Sequence, residues 1–148
     1  MFRGASSLNL DAKGRLAIPA KHRDALHSLS SGQLVLTAHP HRCLLLYPAT
    51  AWEPIQAKLM SLSSFDKRSS ALQRLLVGYA EDIVMDAAGR MLVSSVLREF
   101  AGLDKQAMLV GQGSHFELWN LQAWREQLDQ VVIGDELNMP AELEGFSL

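Results

Sequence analysis

L-N-L-D-A-K-G-R-L-A-I-P at residues 8–19 returns as I-V-M-D-A-A-G-R-M-L-V-S at residues 83–94, and this recurrence decides how the 148-residue chain is read. Asp11, Ala12, Gly14 and Arg15 are matched by Asp86, Ala87, Gly89 and Arg90 at an offset of 75 residues. Arg23 matches Arg98 at the same offset. Further on, G-Q-L-V-L-T (32–37) resembles K-Q-A-M-L-V (105–110). L-L-L-Y-P-A-T-A-W (44–52) resembles F-E-L-W-N-L-Q-A-W (116–124), which pairs Trp52 with Trp124 at an offset of 72. Matches that follow one another in order, with only a few loop residues of difference, mark an internal duplication.

Each copy has the same local pattern. Leu8 with Leu10, and Leu16 with Ile18, alternate with polar or small residues, which predicts two short strands. The D-A-K-G between them suits a four-residue hairpin loop. Asp caps the turn through its side chain, and glycine takes the positive φ. Pro19 suits the first position of a helix predicted over 20–29, and Ser94 or Ser95 is the N-cap in the second copy. Apolar strand pairs are predicted at 35–37 with 43–47 and at 108–110 with 116–119, each followed by a helix. Thr50 and Glu53 have capping-box spacing, Pro48 marks an alternative start, and Asn120 caps the second helix.

Between the copies, 64–77 predicts a helix with Phe65, Leu72, Leu75 and Leu76 on one face, Lys67, Arg68 and Arg74 in solvent, and Gly78 at its end. The fold class is α+β. A single hairpin cannot bury a face alone, so the two repeats complete one core as an internal pseudo-dimer. The expected organisation is a first repeat at 1–63, a connecting helix at 64–78, a second repeat at 79–133 and a flexible acidic tail at 134–148.

The apolar content of 48% suffices for a core and excludes wholesale disorder. No apolar run is long enough for a transmembrane helix or a signal-peptide core. Cys43 is the single cysteine, which excludes an intrachain disulfide framework and a multi-cysteine zinc site, and a cytoplasmic compartment is the natural reading. The net charge of −2 hides an asymmetry. Residues 1–78 hold ten Lys/Arg against four Asp/Glu, and residues 79–148 hold four against twelve. Such a split points the first half toward a polyanion, or else toward the acidic half of the same or a neighbouring subunit.

The D-x-x-G-R turn is the sharpest chemical feature. Lys13 lies in its loop and Arg15 follows Gly14, with Arg3, Lys21 and Arg23 close in sequence. Lysine offers a point charge to phosphate, and arginine can also fork onto the O6 and N7 edge of guanine. A two-stranded ribbon fits the major groove, so its tip can hold phosphate and read bases together. The alternative is a turn in which arginine merely anchors aspartate. That reading suits Asp86, Gly89 and Arg90, because Ala88 replaces the lysine and Glu81, Asp82 and Glu99 stand nearby.

Catalysis has little support. Asp11 and Asp86 have turn roles, Ser6, Ser7, Ser94 and Ser95 lie in no nucleophile elbow, and Gly111 and Gly113 form a lone G-x-G. His39, His41 and Cys43 would share one side of a strand, in reach of a soft metal. But Pro40 interrupts them and the second copy lacks them, so no metal or cofactor is expected. Trp52, Trp119 and Trp124 suit core or subunit contacts, the alternative being a stacking platform for single-stranded bases.

In combination, M-F-R-G, L-D-A-K-G-R-L-A-I-P-A-K-H-R, C-L-L-L-Y-P, Q-R-L-L-V-G, the second D-A-A-G-R and F-E-L-W resemble the MraZ family of bacterial transcriptional regulators over about residues 1–133. The resemblance implies an AbrB-like swapped-hairpin fold with a shared barrel-like core. It also implies ring-shaped homo-oligomers on the nucleoid that bind short G-rich repeats in double-stranded DNA upstream of the division and cell-wall gene cluster. Members typically repress their own operon, and the arginine of the first D-x-x-G-R, here Arg15, contacts DNA in some of them. The second copy departs from this pattern at Ala88 and Ser94, which take the places of Lys13 and Pro19. The alternatives are an antitoxin-like protein-binding module and a small metal-dependent enzyme using His39, His41 and Cys43.

Overall fold

The computed structural model describes residues 1–132 and 140–145. The elements run β1 (Ala5–Asn9), β2 (Arg15–Ala17), α1 (Ala20–Ser30), β3 (Gln33–Ala38), β4 (Leu44–Pro48), α2 (Ala49–Met60), α3 (Lys67–Leu72), a π-helical turn (Gln73–Val77), β5 (Glu81–Val84), β6 (Arg90–Leu92), α4 (Ser95–Ala101), β7 (Gln106–Gly111), β8 (Phe116–Asn120) and α5 (Leu121–Val132). A short 3-10 turn covers Ala141–Leu143.

The α+β class and the two-repeat architecture are those the sequence predicts, but the strands on either side of D-A-K-G do not pair with each other. β1 pairs antiparallel with β7, β5 with β3, and β2 with β6. Every one of these ladders joins one repeat to the other, so the hairpins are swapped between repeats. The turn still closes locally, with the Asp11 N–H donating to Arg15 O at 2.9 Å and the Gly14 N–H to Asp11 O at 3.0 Å. The chain then parts into two different sheets.

The large sheet has the order β1-β7-β8-β4-β3-β5, and β2 and β6 form a separate two-stranded ribbon. The sheet is open, with β1 and β5 as its edges, so the barrel-like closure expected of the core is corrected. Helices α1 and α4 and the β2–β6 ribbon already cover an apolar face of this sheet, which leaves no need for the edges to meet.

Both sheet faces are covered, which explains the uninterrupted L-L-L-Y-P run of β4. On one face Leu34, Leu36, Leu44, Leu46 and Leu118 pack with Leu26 of α1, Leu97 of α4 and the ribbon residues Leu16 and Met91. On the other, Val35, Leu45 and Tyr47 pack beneath Trp52 of α2. Cys43, Val110 and Trp119 lie beneath Ala123 and Trp124 of α5. Truncating a fully buried leucine of this core to alanine costs about 2–5 kcal/mol.

Helix starts differ from the local signals in three places. α1 begins at Ala20 with Pro19 as its N-cap. α2 begins directly after Pro48, the alternative start that the sequence offers, and the Thr50 hydroxyl donates to Leu29 O at 3.1 Å instead of forming a capping box. The predicted 64–77 helix starts only at Lys67, because Asp66 caps it by accepting from the Arg68 and Ser69 N–H groups. Phe65 therefore stands in the preceding loop, almost wholly exposed. Ser94 and Asn120 cap as the sequence predicts, accepting from the Leu97 and Ala123 N–H groups. Most of the expected flexible tail, 134–139 and 146–148, lies outside the described residues, as does residue 133 before it.

Candidate nucleic-acid interface

The β2–β6 ribbon is three residues long, with Arg15 opposite Leu92, Leu16 opposite Met91 and Ala17 opposite Arg90. Strand alternation sends Leu16 and Met91 into the core and leaves Arg15, Ala17, Arg90 and Leu92 on the outer face. Arg15 and Arg90 are diagonal neighbours across this face, about 7–8 Å apart at their Cα atoms. The sequence places these arginines on two separate tips, and the swap puts them on one surface.

The two turns are near copies. Asp11 Oδ1 accepts from the Lys13 and Arg15 N–H groups, each at 2.9 Å, and Oδ2 accepts from Arg15 Nε at 3.0 Å. Asp86 Oδ1 accepts from the Ala88 N–H at 3.0 Å and the Arg90 N–H at 2.8 Å, and Oδ2 from Arg90 Nε at 3.1 Å. The backbone N–H of the arginine lowers each carboxyl most, desolvation opposes it, and the arginine side chain with the N–H two residues after the aspartate tips each below the usual aspartate range. Each arginine is thus oriented through Nε. Among the described residues, no hydrogen bond within the chain takes the Nη groups of Arg15. They form the open end of a planar fork on a side chain that is 45% exposed.

Arg23 and Arg98 have a different job. Arg23 Nε donates to Ile18 O at 2.8 Å, and Arg98 Nε donates to Val93 O at 3.1 Å. A Cβ on Gly14 would come within 2.6 Å of Arg98 Nε and 2.7 Å of Val93 O, and a Cβ on Gly89 would run into Arg23 Nε. Each turn glycine therefore lies directly under the arginine of the opposite repeat. Backbone bonds complete the brace, with the Ile18 N–H donating to Gly89 O at 2.8 Å and the Val93 N–H to Gly14 O at 2.9 Å. The identity of Arg23 and Arg98 at the 75-residue offset was the visible signal of this pair, but nothing local told of its bracing role.

The remaining cations spread out. Lys13 is exposed at the first tip. Arg3 packs its backbone against Gly111 and Lys21 Nζ lies beside Gly4, so both sit at the far end of β1. Five strand residues, about 17 Å, separate them from the tip. Leu92, about half exposed on the ribbon face, is a surface residue that the sequence reading missed. Alternation within M-L-V could have flagged it.

The metal alternative does not match the geometry. Cys43 is fully buried beside Val110 and Trp119, and burial, then the Glu117 carboxylate, pushes its thiol up to about 12. His39 Nδ1 accepts from the His41 N–H at 3.0 Å, which occupies it in its own loop. Among the described residues, no group of three or more His, Cys, Asp or Glu side chains is placed to hold a metal ion. The tryptophans favour the core reading over the stacking platform. Trp52 of α2 is buried against the sheet and Trp119 of β8 lies buried beside Trp124 of α5, with the indole N–H groups of Trp52 and Trp119 donating to Gln56 and Glu117.

A family model described as "MraZ protein, putative antitoxin-like" matches the chain twice, over residues 1–75 and 76–142. A curated protein of Methylobacillus flagellatus is 74% identical over the whole of both chains. Relatives from an Azoarcus species and from Nitrosomonas eutropha are 55% and 52% identical, again over the whole of both chains. All three are named transcriptional regulator MraZ, which is the name of a regulator and not of an enzyme. Two family matches in tandem and identity along the full length leave one conclusion: this chain belongs to the MraZ family.

Proposed function

We propose that this chain is a transcriptional regulator, without enzymatic activity, that binds double-stranded DNA through the outer face of the β2–β6 ribbon. One observation carries the reading: two arginines on one exposed face, each steered by an aspartate through Nε. Arg15 reads a base edge, Gly14 gives the turn its shape, and Lys13 holds phosphate. Arg3 and Lys21 add charge along the flank, and Arg23 contributes by bracing the ribbon. Asp86, Gly89 and Arg90 serve mainly to build the second turn. No cofactor takes part.

The site is small, so a single ribbon binds weakly. Several ribbons in a ring-shaped homo-oligomer, meeting short G-rich repeats upstream of the operon, gain affinity from effective concentration. Repression follows by occluding polymerase at a division and cell-wall gene cluster, with the protein cytoplasmic and nucleoid-associated. A footprint on the gene's own upstream region, with native mass measured in parallel, tests this. Each neutralised phosphate contributes about −0.9 to the slope of log K against log salt, so several engaged ribbons give a slope of several units. A flat salt response, or a monomer at micromolar concentration, overturns the reading. The family description also favours an antitoxin-like protein-binding role, which a stable complex with a partner protein and no operator footprint would establish instead.

A further inference from the structure

The end of α2, the loop at 61–66 and α3 form a corner whose outer surface neither the core nor the ribbon uses. It is rigidly built, since the Gln73 side-chain amide donates to Leu59 O at 2.9 Å and Leu62 O at 3.1 Å and ties α3 to α2. Its surface is nonetheless apolar, with Met60 57%, Phe65 98% and Leu72 39% exposed. An isolated exposed leucine needs no explanation, but a bare phenylalanine with apolar neighbours marks a contact surface. The corner is also basic. Lys58, Lys67, Arg68 and Arg74 face one acid in this stretch, Asp66. That carboxylate accepts from the Arg68 N–H at 2.8 Å and the Ser69 N–H at 3.3 Å and lies 4.0 Å from Arg68 Nε, which leaves Lys58, Lys67 and Arg74 unopposed within the stretch. The corner packs with the sheet face that lies under Trp52, the face opposite the ribbon.

The chain carries a segment of matching character. Residues 134–148 hold Asp135, Glu136, Glu142 and Glu144 and no lysine or arginine. They also hold Leu137, Met139, Leu143, Phe146 and Leu148. Apolar side chains interleaved with acids fit a surface of apolar side chains ringed by bases. In its own chain, the described part of this segment is exposed throughout 140–145, and Phe65 is left bare. We infer that the basic apolar corner at 58–74 is a docking surface for the acidic C-terminal segment of a second copy of this chain. The contact is head-to-tail, so it propagates from copy to copy and closes into a ring where the rotation permits. It lies on the side away from the ribbon and leaves the DNA face free. It extends the assembly part of the proposed function and does not depend on DNA recognition.

The test uses full-length chains. Phe65→Cys is placed in one preparation and Leu143→Cys in another that carries an N-terminal tag, and the two are mixed and oxidised. The native Cys43 is fully buried and does not compete. The expected result is a mixed disulfide in several-fold excess over either homodimer. It should fall several-fold with Lys67→Glu and Arg68→Glu, and recover when the partner carries Glu142→Lys and Glu144→Lys. No excess of the mixed species overturns the inference. So does a disulfide that forms only within one doubly substituted chain, which would mean docking in cis. So does a mixed disulfide that duplex DNA or anionic vesicles abolish while binding the corner, which would give the surface another occupant. Native mass of the parent chain, taken alongside, separates the two proposals. An oligomer without the crosslink sinks this contact alone, and a monomer sinks the assembly reading as well.

Discussion

Replacing Arg15 by alanine should nearly abolish operator binding while the protein stays folded and assembled. Arg15 is about half exposed and, among the described residues, its guanidinium bonds only to Asp11, so its loss removes little packing. At the DNA, loss of a guanine fork costs roughly 1–3 kcal/mol, or about 5- to 150-fold, at each engaged subunit. Two engaged subunits double the free-energy loss, to about 30-fold at the least and 10⁴-fold at the most. Arg15→Lys discriminates between the charge and the fork. It should keep the salt slope and weaken sequence preference, because a flexible ammonium is a point charge without the planar fork that presets both bonds to O6 and N7. Arg90→Ala should be the milder change. Residues 1–25 carry five cations against two acids, whereas residues 79–100 carry two against four. Because the swap places Arg90 on the same face, its effect should be measurable and smaller, not absent. The assay is operator affinity against a scrambled duplex over a range of salt, with native mass and thermal midpoint recorded for each variant. Normal binding by Arg15→Ala, or a larger loss from Arg90→Ala with both variants assembled, refutes the assignment of the first turn as the reading head.

Three further outcomes are expected. Gly14→Ala should destabilise by about 2–4 kcal/mol, since a left-handed residue costs about 1–3 kcal/mol and the new methyl meets Val93 O and Arg98; an unchanged thermal midpoint would remove the bracing argument. Arg23→Ala should lower stability by about 1–2 kcal/mol through the lost charged bond to Ile18 O, and leave the salt slope of DNA binding unchanged; a lowered slope with unchanged stability would return Arg23 to the DNA surface. His22 packs edge-on against the Phe2–Phe116 pair, and burial, then Lys21, holds its pKa below the ordinary value of 6.5. Its neutral form is the folded one, so stability is full above that value and is lost as pH falls through the lowered folded pKa. His39 and His115 shift the same way, so His22→Phe should flatten, not eliminate, the loss of thermal midpoint on acidification, and an unchanged slope would show that His22 is not part of it.

The duplication, the α+β class and the turn chemistry were legible in the sequence because they are short-range. Asp11 and Asp86 cap residues two and four positions on, glycine supplies a positive φ, and alternation marks the strands. The same short range misled at Thr50, where the signal for a capping box lost to Pro48 and to a carbonyl 21 residues away. The cations nearest in sequence to the tip are not all nearest in space. The length of β1 sets Arg3 at its far end, the Lys21 side chain reaches from α1 to that same end beside Gly4, and Arg23 is spent on Ile18 O.

By itself the sequence determined that two equivalent units would build one core, that each would carry an aspartate-anchored arginine, and that the first would be the more basic. Only the tertiary structure decided that the strands beside each turn pair across repeats. A two-residue period says which face of a strand is buried but not which strand lies beside it. From that pairing follow the joint face of Arg15 and Arg90 and the bracing of each glycine by the other repeat's arginine. Neither could be read locally, because both depend on contacts between residues some 75 positions apart.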